Sequence, residues 1–426
     1  MPMMWRAAVL ALLAGGCNQV FGLSKTAVVD GAIGGSCGSG DLCLAPSVCD
    51  TTSNLCVQCT ATQADACTAG SPVCGSDDVC HPCTAHADCP SDVCLPDGSC
   101  AAAADVSYVA PTGTDPVGAT DAPCSQAAPC ATVAGALLSK ELRPTIKVRG
   151  SISKSTTIPA GAALTIIGDA DAELHADVGP AITVLGSAVL TLRDLVIASG
   201  SSGIEVSSAN TSATVNLLHC QIRNNSGIGI NVTGPSAGPQ PTLTVAQSKI
   251  ESNNGGGIYV TNGIVDLVGN VFFGNGNMVT VAGFGGLRLD TVSANSRVAF
   301  NTFASNLTKA FPPAIRCSSL DLTLSNNVAA DNVQAGAGSA QVDDVNLCTY
   351  TYTLVFPGPV PNGATNMGGD PMFTDLVHGD LHIVNDQSPA WSAADPNADL
   401  SGLAADDPDG HARVRPADVG AFQHLN

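Results

Sequence analysis

Val245-Ala246-Gln247-Ser248-Lys249-Ile250-Glu251-Ser252-Asn253, followed shortly by Gly257-Ile258-Tyr259-Val260, is the stretch on which the fold turns. Val245 belongs to a column with Leu192, Leu217, Leu267, Val298 and Leu324, spaced 22 to 31 residues apart. Three residues on stand Leu195, Cys220, Ser248, Asn270, Asn301 and Asn327, and two beyond those Ile197, Ile222, Ile250, Phe272, Phe303 and Ala329. Alternation at period two is the mark of a strand, and its return at this longer spacing is the mark of a solenoid whose coils bury one another.

Asn253 extends the pattern. Five residues past each member of the second column comes Gly200, then Asn225, Asn253, Asn275, Asn306 and Asn332. Asparagine tolerates left-handed backbone angles, and its amide can bond the equivalent amide one coil above, so such a column is expected to close a turn and satisfy buried polar groups. A second strand follows in each coil: Gly203-Ile204-Glu205-Val206, Gly229-Ile230-Asn231-Val232, Gly257-Ile258-Tyr259-Val260, Gly286-Leu287-Arg288-Leu289 and Ala314-Ile315-Arg316-Cys317.

The coil phrase ending in Gly-Gly-Ile-Tyr-Val at Val260 resembles the pectate-lyase-like right-handed parallel β-helix proteins. The opening Tyr108-Val109-Ala110-Pro111-Thr112-Gly113-Thr114-Asp115, then Pro129-Cys130-Ala131-Thr132-Val133, resembles the start of such domains and implies a capping helix over residues 131–142. Gly369-Asp370-Pro371-Met372-Phe373, Ser388-Pro389-Ala390, Asp407-Pro408-Asp409-Gly410 and Asp418-Val419-Gly420-Ala421-Phe422 resemble the tail of β-helix proteins called choice-of-anchor Q. The fold class is therefore all-β: a right-handed parallel β-helix over 105–340, with C-terminal coils and cap over 341–426, preceded by a small disulfide-rich module.

Composition agrees. Aromatic residues are 4% and charged residues 12% of the 426, which favours short strands and tight turns over amphipathic helices. A net charge of −20 with no basic stripe repels phosphate backbones, so nucleic acid is not expected as a partner.

At the N-terminus, Arg6 precedes an apolar run from Ala7 to Ala14 that is too short to span a bilayer, and residues 1–16 read as a secretory signal. Leu13-Ala14-Gly15-Gly16-Cys17 resembles the lipobox of bacterial lipoproteins, with Ala14 standing where that family usually has leucine. The resemblance implies acylation at Cys17, a lipid-anchored tether over 17–36, membrane attachment through the lipid and, with Asn18 next, an outer-membrane or cell-surface location. An ordinary signal peptide with an incidental cysteine is the competing reading.

Residues 37–100 hold twelve of the 18 cysteines: Cys37, Cys43, Cys49, Cys56, Cys59, Cys67, Cys74, Cys80, Cys83, Cys89, Cys94 and Cys100. They fall into three units of four, and without any Phe, Tyr or Trp the segment needs covalent links in place of a core. Cys56-x2-Cys59 and Cys80-x2-Cys83 have zinc-ribbon spacing, but Cys67 and Cys74 between them and the repeat itself favour disulfides. The segment resembles short cysteine-rich repeats of bacterial surface lipoproteins, which serve as spacers or binding modules. Its aspartates leave weak calcium binding open beside the plainer reading of solvated loops; no cofactor or metal site is assigned. Cys124 and Cys130 are expected to bridge each other, Cys317 to pair with Cys348, and Cys220 to stay a buried thiol.

Polysaccharide-cleaving relatives need clustered acids beside a base, and no two carboxylates stack in neighbouring coils here. Arg223 and Glu251 share a column and are expected to form a surface ion pair. His378 and His382 lack the helical setting of a zinc protease, Gly34-Gly35-Ser36-Cys37-Gly38 lies outside any strand-to-helix turn, and Asp407, Asp409 and Gly410 suggest a tight turn over a calcium loop. One outward stripe combines Glu205, Asn231, Tyr259, Arg288 and Arg316, with Asp290 beside it; it is the candidate polysaccharide contact, against the plainer reading of a solvated face. The resulting expectation is a cell-surface lipoprotein whose β-helix binds, adheres or supports. A polysaccharide lyase or glycoside hydrolase, and a pure envelope spacer, are the alternatives.

Overall fold

The computed structural model describes the chain apart from residues 1–32, 38–42, 69, 118–123, 139–142, 207–211, 280–283, 310–311, 320, 337–339, 344–346 and 426. Two compact units emerge, Met1–Ala103 and Ala104–Asn426. Among the described residues no helix is long and apolar enough to cross a membrane.

In the first unit each quartet of cysteines is cross-linked first to third and second to fourth: Cys37–Cys49 with Cys43–Cys56, Cys59–Cys74 with Cys67–Cys80, and Cys83–Cys94 with Cys89–Cys100. The would-be zinc pair Cys56 and Cys59 is thus divided between two quartets. Short antiparallel pairs, Val48–Asp50 with Leu55–Val57 and Val73–Cys74 with Cys80–His81, are all the regular sheet this unit holds among its described residues. Cross-links replace the missing apolar core.

The second unit is a right-handed parallel β-helix. Three parallel sheets of ten, ten and seven strands run its length, each strand bonded to its counterpart one coil away. In the coil quoted at the outset the strands are Thr242–Ala246, Lys249–Glu251 and Gly256–Thr261. Inward positions stack like on like: Ile204, Ile230, Ile258, Leu287 and Ile315 form one column, and Ile197, Ile222, Ile250, Phe272 and Phe303 another. The Phe272 and Phe303 rings lie 4.4 Å apart and nearly parallel. Cys220 is buried and free, and Cys317–Cys348 joins adjacent coils across the core.

Two tight corners separate the first sheet from the second and the second from the third, and both carry an amide ladder. Asn225 Nδ2 donates to Asn253 Oδ1 at 2.8 Å, Asn253 to Asn275 at 2.9 Å, Asn275 to Asn306 at 3.0 Å, Asn306 to Asn332 at 2.7 Å, and Asn332 to Gln341 at 2.9 Å. At the other corner Asn270 donates to Asn301 and Asn301 to Asn327, both at 3.0 Å, while Ser248 joins the ladder through its backbone N–H, which donates to Asn270 Oδ1. The left-handed backbone, expected on the asparagines, belongs instead to the residue before each inward corner position: Asn224, Ser252, Gly274, Ser305 and Asp331 at one corner, and, before Cys220, Ser248, Asn270, Asn301 and Asn327, to His219, Gln247, Gly269, Phe300 and Asn326 at the other. The sharp bend at that residue turns the next side chain inward, where its amide meets the coil above.

The N-terminal end is closed by the helix Val133–Leu138, shorter among the described residues than expected, with Asp115 bonding Thr132 at its start. Cys124–Cys130 fastens the preceding loop. Buried Lys147 is neutralised by Asp169 at 2.6 Å.

Toward the C-terminal end the coils continue through the strands Cys348–Thr351 and Leu354–Phe356. The coil strands end at Met367–Gly368, and residues 370–425 lie as a strap along the outside of earlier coils. Gln247 donates to the Asp406 carbonyl, Ala421 N to Thr302 Oγ1 at 2.9 Å, and Gly420 N to the Asn326 carbonyl. The outward face changes where the strap covers it. The column Glu173, Val196, Gln221, Lys249 continues as Val271, Thr302, Val328, Leu354, and His175, Ala198, Arg223, Glu251 continues as Phe273, Ala304, Ala330, Phe356. Leu381, Ala421 and Phe422 pack on Val271 and Ala304.

Asn275 accepts from the backbone and side chain of Asn253 and donates to the Ile250 carbonyl and Asn306. Asn275→Ala should orphan several buried groups and destabilise the solenoid by about 3 kcal/mol or more, read as a fall in calorimetric midpoint; a loss under about 1 kcal/mol would show the ladder to be ornamental.

Candidate functional site

The stripe read from the sequence stands in strict register on the seven-stranded sheet: Glu205 pairs with Asn231, Asn231 with Tyr259, Tyr259 with Arg288, and Arg288 with Arg316. All five side chains are half-buried and outward, because their strand neighbours Ile204, Val206, Ile258, Val260, Leu287 and Leu289 point into the core. Coil spacing of about 4.8 Å makes the column roughly 19 Å long from Glu205 to Arg316.

The column is organised internally. Asn231 Nδ2 donates to Glu205 Oε1 at 2.8 Å. The Arg288 guanidinium lies 4.5 Å from the Tyr259 ring centre and meets the Asp290 carboxylate at 2.6 Å. Tyr259 is held from another side by Phe284, 6.1 Å away and 2% exposed, which comes from the long connection between the strands Val271–Phe273 and Leu287–Asp290. Room for Phe284 exists because residue 256 is glycine: a Cβ there would lie 2.5 Å from the Phe284 ring.

Charge runs along the column, acidic at Glu205 and basic at Arg288 and Arg316. Burial pushes the Glu205 carboxyl above its ordinary pKa, against the hydrogen bonds from Asn231 and Ser202. Burial and then the neighbouring Arg288 lower the pKa of Arg316.

The structure separates the other candidates. Arg223 reaches across small Ala198 to Glu173 at 3.0 Å instead of pairing with Glu251, whose carboxylate accepts from Gln221. His378 and His382 do have acidic neighbours, Asp375 for the first and Asp380 and Asp409 for the second, brought together by the strap. Asp407 is fully buried and accepts from the backbone of Asp409 and His411, the bonding of a tight turn. Among the described residues, the groups of three or more side chains close enough to share a metal consist of cysteines, and these are disulfide-bonded. Cys17 lies outside the described residues. Phe284 and Glu173 were missed in the sequence: a lone aromatic in a long loop and an acid two coils away carry no periodic signal.

A family model described as the right handed beta helix region matches residues 202–354. Among solved structures, the crystal structure of pectate lyase Pel9A is similar at 13% identity and a TM-score of 0.47, over 75% of this chain and 96% of that one. No curated protein matches. The class of protein is thus a right-handed parallel β-helix carrying a disulfide-stapled N-terminal module.

Because Glu205 titrates at a raised pKa in the fold, the stability it contributes is greatest below its unfolded value and falls as pH rises through the folded one. Glu205→Gln should therefore leave stability unchanged near pH 4 and raise it slightly, by under about 1 kcal/mol, at neutral pH. Melting curves at the two pH values check this; a Gln variant less stable at neutral pH would show the carboxylate to be a net stabiliser.

Proposed function

We propose that this chain is a lipid-anchored cell-surface protein whose β-helix binds a polysaccharide along the column from Glu205 to Arg316, without cleaving it. The observation that carries the reading is the in-register column itself, with hydrogen-bonding groups, an aromatic ring and opposite charges at its two ends. A linear chain of repeating polar units suits a linear ladder. Cleavage by paired carboxylates needs them roughly 5 to 9.5 Å apart. Glu205 and Asp290 are three coils apart, roughly 14 Å at the spacing of parallel strands.

The full chain, incubated with a panel of polysaccharides with and without calcium, should retain one or more glycans and release no shortened products by mass spectrometry. Tyr259→Ala and Arg288→Ala should each weaken retention about tenfold or more, the loss of a central contact. Shortened products would replace the reading with a lyase or hydrolase, and no retention would leave an envelope spacer.

The anchor is tested separately. Cys17 in the Leu13-Ala14-Gly15-Gly16-Cys17 stretch should take up labelled palmitate in a bacterial host, and Cys17→Ser should abolish both label and membrane fractionation. Unchanged fractionation of the variant would remove the lipid anchor from the proposal.

A further inference from the structure

One histidine of the strap is surrounded in a way that requires a proton. His382, in the strand Asp380–Ile383, sets Nδ1 2.5 Å from Asp380 Oδ1 and Nε2 2.7 Å from Asp409 Oδ2. A neutral imidazole has one N–H and one bare lone pair, so only the imidazolium can donate to both carboxylates. The neutral ring would turn a lone pair toward one of two anions.

What these contacts join is the strap's terminal part. The His382 ring lies 4.0 Å from that of Phe422, which is 6% exposed and seated on the solenoid flank at Val271 and Ala304. Asp409 belongs to the turn in which Asp407 accepts from Asp409 N, His411 N and Gln423 N. His411 and His424 line the same cleft as His382, and His411 Nδ1 stands 3.4 Å from Asp407 Oδ2. On the paired strand Asp375 is taken up by His378 at 2.7 Å, and from the inner side buried Arg413 faces Asp407 and Asp418.

We propose that His382 is a proton-operated latch: as imidazolium it ties the strand 380–383, the turn 406–410 and the terminal segment together on the solenoid flank, and its deprotonation loosens residues 406–425. Burial disfavours the charged ring, but Asp380 and Asp409 together outweigh it and hold its pKa above the ordinary histidine value. The contribution to stability is therefore complete below the unfolded value of about 6.5 and is lost as pH rises through the folded value. The three side chains are about 40% exposed, so the response is a local opening and not global unfolding.

Hydrogen–deuterium exchange of the full chain, corrected for the intrinsic pH dependence of exchange, reads the latch. Protection of peptides spanning 406–425 should fall about threefold or more as pH rises from about 5.5 to 9, while inner-strand peptides hold. His382→Asn should show the lower protection at every pH, and His411→Gln should keep the original profile. If the His382 variant does not fold, Asp409→Asn, which removes one negative charge beside the ring, must move the fall to lower pH. A flat profile in the unaltered chain, a fall that persists in His382→Asn, or an unmoved fall in Asp409→Asn would each overturn the latch.

Discussion

From Asn225 onward the coils of this protein depend on a single polar interaction: an inward asparagine amide that takes hydrogen bonds from the amide and backbone of one neighbour and returns one to the next. A parallel coil cannot bury its apolar edges alone, and apolar columns by themselves tolerate slippage. The ladder from Asn225 to Gln341 removes that freedom, since a shifted coil would strand buried amides. The left-handed residue before each asparagine aims it inward, and the strain of that backbone is held by the stack around it.

Register, once set by the ladder, governs the outside as well. Glu205, Asn231, Tyr259, Arg288 and Arg316 form one column only because Ile204, Ile230, Ile258, Leu287 and Ile315 form another immediately behind them. The candidate site is thus a by-product of core stacking, with side chains spaced by the strand separation. Arg288 is steadied by Asp290 and by the Tyr259 ring, and Tyr259 by Phe284, so the middle of the column is preorganised.

The strap answers a second constraint. From Val271 onward the outward positions of the second sheet turn apolar, and such a face needs a cover. Residues 370–425 supply it, carrying buried Arg413 over the Phe300 ring at 4.7 Å, with burial lowering its pKa to about 10. The switch from Lys249 and Glu251 to Val271 and Phe273 is a signal present in the sequence that announces a covering element.

The solenoid, its inward columns, the asparagine ladder, the cysteine quartets and the stripe were all legible from residue order, because each is a periodic pattern and a repeat writes its geometry at fixed spacing. The partners within each quartet, the bonding of Arg223 to Glu173, the strap along the flank and the meeting of His382 with Asp409 were decided only by tertiary structure. They join residues whose separation obeys no period, and chain distance says nothing about which of several chemically equivalent partners will arrive. The sequence alone determined how one coil sits on the next; folding in three dimensions decided what packs across the coils, since that depends on where side chains end in space and not on how often they recur.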